Sequence, residues 1–306
     1  MTRDRRAMLL AMAFIAVWTL VELVAAGVLA RVSPFQVVWT RYVVHLALML
    51  LLFWRRPWSL WRTSRPVYQL LRSLLMVGMP ASWIFAMQSG VDGGLLMAIF
   101  WVSPLLVLVL ARLLLGEVAP AGIWIAAGVG WIGAFLVLGH AAMPASPMSL
   151  ILPLAMALSF SLYVVMTRSL RDEGTPPNLF YSAGGVVLFL TPFMPVVWTT
   201  PAASDLLVMA AVGVLGFLSL LALDRMAAEV AVSRTAPVLY LQVPATIVLL
   251  AAVGGGVTWR MAAGLLLIAL AAWWTWSRDH RVGDRAAGAA APAVSNRSSV
   301  GSLHTP

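Results

Sequence analysis

The chain has 306 residues, of which 62% are hydrophobic and only 10% are charged, and its net charge is +9. A soluble domain carries about 25% charged residues, so this composition excludes a water-soluble globule and indicates a protein surrounded by lipid. All 20 basic residues are arginines that lie mainly between apolar runs and form no basic face mixed with aromatic residues, which argues against a nucleic-acid partner.

Ten apolar runs follow one another along the chain, each close to the roughly 20 residues that a helix needs to cross a bilayer. They predict transmembrane helices near residues 8–30, 36–54, 67–87, 94–115, 121–139, 149–167, 178–198, 205–222, 228–251 and 258–276. Strands of a membrane barrel would alternate over about ten residues, whereas these runs are continuous. The first run follows three arginines, as in a secretory signal, but it reaches Ala30 and contains Glu22. We therefore interpret it as a membrane helix. The predicted fold class is an all-α membrane protein with ten transmembrane helices.

The arginines also predict the orientation, because cytoplasmic loops retain basic residues. With the N-terminus inside, fifteen arginines fall on the cytoplasmic side: Arg3, Arg5, Arg6, Arg55, Arg56, Arg62, Arg65, Arg112, Arg168, Arg171, Arg225, Arg278, Arg281, Arg285 and Arg297. Two arginines, Arg31 and Arg260, fall on the outer side. We therefore expect a multi-pass protein of a bacterial-type inner membrane with both termini cytoplasmic.

A gap divides the ten runs into two sets of five. The sequence predicts a first five-helix repeat over residues 1–139, a periplasmic connection over 140–148, a second five-helix repeat over 149–277 and a disordered cytoplasmic tail over 278–306. Because five is odd, the second set enters the membrane from the opposite side. Such inverted repeats are typical of secondary transporters, whose substrate site lies where the halves meet.

Several short segments resemble the drug/metabolite transporter superfamily, and specifically its EamA-type members with two five-helix repeats. The matching segments are Ser33-Pro34-Phe35-Gln36, Arg41, Arg65-Pro66, Leu71-Arg72, Ala98 to Pro104, Leu115-Gly116-Glu117, Gly128, Gly133-Ala134, Thr167-Arg168 and Ala236-Pro237 with Tyr240. The resemblance covers nearly all of residues 8–277. It departs at Gly254-Gly255-Gly256, where family members often carry a glutamate. It implies a transporter of a metabolite such as an amino acid, S-adenosylmethionine or riboflavin, and does not choose among them.

Glu22 is the single carboxylate that the predicted spans place deep in the membrane. An ionisable group there is costly and usually faces a cavity or a partner. One interpretation is a proton carrier or a contact for a cationic solute group; the other is a structural ion pair with Arg41, which lies at a similar depth. His45 follows Arg41 by one helical turn and either joins a proton path or bonds to a backbone carbonyl.

Two proline-containing stripes suggest the wall of a solute cavity. Met97, Trp101, Pro104 and Leu108 share a face of the fourth span, and Ser233, Pro237, Tyr240 and Pro244 repeat that spacing in the ninth. Proline frees a backbone carbonyl and bends a helix, which membrane helices tolerate beside a cavity. The alternative is that both stripes serve packing.

Three further polar residues have open roles. Arg234 precedes Pro237 and either clamps an anionic solute group or extends to the cytoplasmic surface. Gln242 is a candidate hydrogen-bonding group in the same span. Arg72 is expected to extend its guanidinium to the inner surface from the third span.

The main hypothesis is a secondary transporter that moves a small organic solute, an amino acid or another metabolite, by alternating access, with proton coupling through Glu22 as an open question. A channel is the alternative, although channels commonly show rings of like pore-lining residues. An intramembrane enzyme fits less well, since no zinc motif, nucleophile elbow or pair of intramembrane acids is present, and the absence of cysteine excludes thiol catalysis. We expect the lipid bilayer as a partner, no cofactor and no metal; the sequence does not predict the oligomeric state.

Overall fold

The computed structural model describes residues 3–139, 148–252 and 256–289, and every regular element in these ranges is a helix. In chain order these are α1 (Arg3–Leu29), α2 (Pro34–Leu52), α3 (Trp58–Trp61), α4 (Pro66–Gln88), α5 (Gly93–Phe100), α6 (Ser103–Leu115), α7 (Ala121–Leu138), α8 (Met148–Ser169), α9 (Thr175–Leu190), α10 (Met194–Val197), α11 (Ala203–Glu229), α12 (Val232–Thr235), α13 (Gln242–Ala252) and α14 (Trp259–Ala289). The all-α prediction is confirmed for this part of the chain.

Eight helical segments among the described residues are long and apolar enough to cross a membrane. They are Arg3–Leu29, Pro34–Leu52, Pro66–Gln88, Gly93–Leu115, Ala121–Leu138, Leu150–Ser169, Thr175–Val197 and Ala203–Glu229. A shorter apolar helix covers Trp259–Trp274. The predicted count of ten spans stays a prediction.

Two boundaries differ from those expected. The helix predicted to end at residue 222 continues to Glu229, because the acidic and basic residues that end the apolar run are accommodated within the helix. The last helix continues to Ala289, beyond the predicted start of the tail at 278. Residues 140–147 of the predicted connection and residues 290–306 of the tail lie outside the described part of the chain.

The two proline-containing stripes coincide with interruptions of the helical path. One apolar segment is divided at Trp101 and Val102, so that α5 ends and α6 begins with Pro104 in its first turn. The other passes from α12 through a 3₁₀ helix, Ala236–Leu241, before α13 begins. Proline cannot donate to the preceding turn, which explains why both helices change course there.

Most helix packing joins the first half of the chain, residues 3–139, to the second half, residues 148–289. The main pairs are α1 with α11, α4 with α8, α2 with α11, α4 with α9, α2 with α9, and α7 with α14. The α7–α14 contact depends on two glycines: a Cβ on Gly133 would lie 2.7 Å from the carbonyl oxygen of Gly264. Neither half therefore packs as an isolated bundle.

Candidate functional site

A cavity of about 400 Å³ lies between helices of both halves. We call its two directions the Arg6 end, where α1 begins, and the Arg31 end, where α1 stops. The cavity extends towards the Arg31 end, because Leu29, Pro34 and Leu138 line it there. Its remaining lining residues are Trp18, Val21, Glu22, Ala25, Ala26, Val37, Val38, Arg41, Met79, Pro80, Trp83, Ile84, Met97, Trp101, Met156, Val212, Gln242, Val243 and Thr246.

Glu22 lies on the cavity wall and is held from both halves of the chain. The indole N–H of Trp18, one turn earlier on α1, donates to Glu22 Oε1 over 2.8 Å. The amide of Gln242, at the start of α13, donates to the same oxygen over 3.0 Å. Glu22 therefore connects α1 to the helix that follows the 3₁₀ interruption.

Arg41 lines the same cavity but does not form the ion pair with Glu22 that was one of the two interpretations of the sequence. Among the described residues, no carboxylate oxygen lies within 4.0 Å of its guanidinium. The guanidinium instead covers the ring of Trp18 at 5.0 Å and that of Tyr42 at 5.4 Å. It fits against α11 because residue 216 is glycine; a Cβ there would overlap Arg41 Nε. The direct structural pair is thus absent in this conformation, although both charges face one cavity.

Four aromatic rings form a floor between the cavity and the Arg6 end. We call this group the aromatic floor: Phe100, Trp101, Phe160 and Tyr240. Trp101 contacts Phe100 at 5.3 Å and Tyr240 at 6.0 Å between ring centroids, and Phe160 lies 5.6 Å from Phe100. Tyr240 packs directly on Gly130 of α7, where no side chain would fit. The rings come from both halves and close the cavity below Trp101.

Of the predicted site residues, five line the cavity: Glu22, Arg41, Met97, Trp101 and Gln242. The others do not.

His45 is buried against the ring of Phe217 at 5.0 Å, and within the described chain its Nε2 has no hydrogen-bond partner. Pro104, Pro237 and Tyr240 are buried in the packing beneath the cavity. The proline stripes therefore contribute to the cavity mainly through Met97 and Trp101 and through the course of the two interrupted helices.

Arg234 lies away from the cavity. Its guanidinium donates to Asp4 over 3.0 Å at the Arg6 end, and its side chain is half exposed. Of the two roles left open by the sequence, the surface position is the one observed, because α12 begins at this end of the molecule.

Polar contacts between the halves close the Arg6 end. Glu117 pairs with Arg168 of α8 at 3.4 Å and accepts the backbone N–H of Ser233 over 3.1 Å. Gly116 places Glu117 for these contacts, since its positive φ of 67° ends α6 and turns the chain back towards the second half. Arg6 pairs with Glu229 at 3.0 Å across the same end.

A buried polar network lies between α4, α8, α9 and α11. Arg72, expected at the surface, is 1% exposed. It donates to Thr167 Oγ1 over 2.9 Å and to Gln69 Oε1 over 2.8 Å, while Asn178 joins it to Asp224 by donating to that carboxylate over 2.9 Å. Asp224 is a second buried carboxylate, which the predicted helix boundary at 222 had left in a loop.

Two clamps connect loops to helix starts. At the Arg31 end, Arg31 pairs with Asp205 at 2.6 Å. Beside it, the side-chain amide of Gln36 donates to the backbone oxygen of Thr199 and accepts from the backbone N–H of the same residue. Glu173, before α9, accepts from the hydroxyl and the backbone N–H of Ser64, and the hydroxyl donor holds the pKa of Glu173 below its ordinary value.

Sequence reasoning missed several cavity residues. Trp18 precedes Glu22 by four residues and therefore lies on the same helical face, so the sequence could have predicted it as a hydrogen-bond donor to Glu22. Met79, Trp83 and Met156 carried no such signal, because their position depends on how α4 and α8 pack against the other helices.

Comparison with known proteins agrees with this architecture. Residues 5–139 match the sequence model of the EamA-like transporter family. A solved crystal structure superposes with a TM-score of 0.76 over 90% of this chain and 98% of that chain; at 20% identity it shows a shared fold.

Three relatives are S-adenosylmethionine uptake transporters of Rickettsia. The protein of Rickettsia conorii is 29% identical over 188 residues, which span 61% of this chain and 63% of that protein. The protein of Rickettsia felis is 27% identical over 213 residues, 69% of this chain and 72% of that protein, and that of Rickettsia prowazekii is 29% identical over 182 residues, 59% and 61%.

The fold and the cavity thus belong to a helical membrane protein with several spans. The predicted resemblance to the EamA-type family is confirmed by the match over residues 5–139, and the described residues contain eight helices long and apolar enough to cross a membrane.

Proposed function

We propose that this protein is a secondary carrier in a bacterial inner membrane that moves a small organic metabolite by alternating access between two inverted five-helix repeats. The observation that carries the proposal is the cavity between the halves, open towards one end and closed at the other by contacts that join the same halves. Its volume of about 400 Å³ is within the range of small-molecule sites.

The pattern of helix packing supports inverted repeats. If α1 corresponds to α8, α2 to α9 and α4 to α11, then the α1–α11 contact has its counterpart in α8–α4, and α2–α11 in α9–α4. The α2–α9 contact joins two corresponding helices, and so does the α7–α14 contact if α7 corresponds to α14. The interruptions before α6 and before α13 occupy corresponding positions, as in transporters whose site is built on discontinuous helices.

The ion pairs at the Arg6 end support an outward-open conformation. Because most arginines fall on this side, the positive-inside rule makes it cytoplasmic. The cavity then faces the periplasm, and the aromatic floor together with Glu117–Arg168 and Arg6–Glu229 forms the closed inner gate. Transport requires these contacts to open as the Arg31 end closes.

S-Adenosylmethionine or an amino acid is the proposed solute. The relatives named as S-adenosylmethionine uptake transporters point to the first. The cavity suits either, since it combines one carboxylate with indole and thioether walls that favour cationic and ring-bearing groups.

Proton coupling through Glu22 is part of the proposal. The carboxylate faces the cavity, and its link to Gln242 gives it a contact in each half. A proton on Glu22 removes the negative charge that accepts both hydrogen bonds, which changes the connection between α1 and α13.

The test is solute flux in proteoliposomes, measured with labelled S-adenosylmethionine, methionine, phenylalanine, riboflavin and a nucleoside, with and without a pH gradient. Saturable counterflow supports a carrier, whereas flux that rises linearly with solute concentration supports a channel. Flux that depends on the pH gradient in the wild type but not in Glu22→Gln supports proton coupling. Flux that is independent of the gradient in both proteins would overturn proton coupling, while the proposal of a carrier would stand.

Orientation has its own test, because the chain contains no cysteine. Single cysteines at Ser89 and Arg62, both exposed, lie at the Arg31 and Arg6 ends. An impermeant thiol reagent added to intact cells is expected to label Ser89→Cys and spare Arg62→Cys. The reverse pattern would overturn the proposed topology.

A further inference from the structure

Building on the proposed function, we propose that the cavity selects zwitterionic solutes by binding the positive group at Glu22 and the carboxylate at Arg41. The apolar or ring-bearing remainder of the solute then packs against the indole and thioether side chains of the wall. The residues that carry this inference are Glu22, Arg41 and Trp18, which lies between them.

The two opposite charges share one cavity without a direct ion pair. No ion pair joins them within 4.0 Å, although both line the same space. Trp18 explains the separation, since its N–H is bonded to Glu22 while its ring face lies under the guanidinium of Arg41. The indole thus holds the two charges apart.

Each charge retains capacity for a solute group. Both hydrogen bonds to Glu22 reach Oε1, and Oε2 has no donor within the described residues. Arg41 lines the cavity and has no hydrogen-bond acceptor in the described part of the chain; its Nε and Nη2 are buried without a partner. Charge inside a membrane protein is costly, and a solute with one group of each sign adds an oppositely charged partner to both residues.

The rest of the wall limits the class of solute. Apart from Trp18, Glu22 and Arg41, the polar lining side chains are Trp83, Trp101, Gln242 and Thr246, and none of these is charged. One arginine cannot balance the several charges of a nucleotide phosphate chain, whereas a carboxylate matches a single guanidinium. Met79, Met97 and Met156 add polarizable surface that adapts to solutes of different shape.

A matched ligand series isolates each charge. L-Methionine carries both groups, its methyl ester lacks the anionic carboxylate, and 4-(methylthio)butanoate lacks the ammonium group. Binding of each to purified wild-type protein, Glu22→Gln and Arg41→Gln is measured by tryptophan fluorescence, since Trp18, Trp83 and Trp101 line the cavity. Asp172→Asn and Arg55→Gln are controls that remove one exposed charge of each sign outside the cavity.

We expect the wild type and both controls to prefer methionine over either analogue by about tenfold or more, because a hydrogen bond to a charged group is lost with each truncation. Glu22→Gln loses the preference over 4-(methylthio)butanoate and keeps the preference over the ester. Arg41→Gln shows the opposite pattern. Variants that weaken all three ligands equally, or a wild type that binds the three alike, would overturn charge selection.

Failure of this inference is distinguishable from failure of the proposed function. Saturable flux of riboflavin or an uncharged nucleoside, without preference for zwitterions, overturns the zwitterion class and leaves the carrier intact. No saturable flux for any solute of the panel in the wild type overturns the carrier itself.

Discussion

The indole of Trp18 donates its N–H to Glu22 Oε1 over 2.8 Å while the guanidinium of Arg41 lies over its ring at 5.0 Å. One side chain therefore orients the membrane carboxylate and supports the neighbouring cation. Because a ring face attracts a cation and an N–H attracts an anion, both contacts are favourable at once. The arrangement keeps two opposite charges available to the cavity.

Trp18→Phe separates these two roles. Phenylalanine keeps a ring beneath Arg41 and removes the donor to Glu22, so we expect solute affinity to fall by about tenfold, the scale of one hydrogen bond to a charged group. The measurement is the half-saturation concentration for uptake in proteoliposomes. Trp54→Phe is the control, since Trp54 is exposed at the Arg6 end. Unchanged uptake in Trp18→Phe would show that Glu22 does not need this donor.

Trp101→Leu tests the aromatic floor as a binding surface. Leucine removes the ring that faces the cavity, and we expect the half-saturation concentration to rise more for phenylalanine than for leucine as transported solutes, by several-fold, because aromatic pairs add about 0.5–1.5 kcal/mol. The ratio between two solutes is insensitive to how much protein folds. Trp124→Leu on the outer surface of α7 serves as the control. An equal rise for both solutes would remove Trp101 from solute recognition.

Arg72→Met tests the buried network. The substitution leaves Asp224 without the cation that Asn178 connects to it, and breaking a buried charge network by removing one partner costs about 3–5 kcal/mol. We expect a lower thermal unfolding temperature in detergent. Adding Asp224→Asn should restore part of the loss, since the remaining charge is then removed. A double variant as unstable as the single one would contradict an electrostatic role.

Gly130→Ala tests the close approach of α7 to the 3₁₀ helix. A Cβ at Gly130 would overlap the ring of Tyr240, and overpacking of this kind costs about 1–3 kcal/mol. Gly128→Ala is the matched control in the same helix, because a Cβ there meets nothing within 4 Å. We expect the first variant to lower the unfolding temperature and the second to leave it unchanged or raise it. Equal changes of the unfolding temperature in the two variants would mean that the ring of Tyr240 moves at no cost to make room for the added methyl group.

The Ser64–Glu173 clamp predicts a pH dependence outside the membrane. The pKa of Glu173 is lowered in the folded protein, so its contribution to stability is present above the ordinary glutamate pKa of 4.5 and is lost as pH falls through the lowered value. The difference in unfolding temperature between the wild type and Glu173→Gln should be largest near neutral pH and vanish in acid. Because the site is exposed, the difference is small. A difference that grows on acidification would contradict this sign.

Local sequence properties determined the membrane character, the helical class and most helix positions. A run of about 20 apolar residues has few stable states in lipid other than a helix, because every backbone polar group must be bonded internally. The prolines likewise predicted where α5–α6 and α12–α13 would change course. Glu22, Arg41, Trp101 and Gln242 were identified because polar or aromatic residues in an apolar run are conspicuous, and Met97 because it shares the helical spacing of Trp101 and Pro104.

Tertiary packing decided which of these residues share a cavity and which partners they take. Sequence placed Glu22 and Arg41 at similar depths, but the position of the Trp18 indole between them depends on how α1 and α2 approach α11. Arg72 and Asp224 are buried together because α4 and α11 converge on Asn178 of α9, a contact between residues far apart in the chain. Depth in the membrane follows from local hydrophobicity, whereas the choice of partner follows from long-range contacts between the halves.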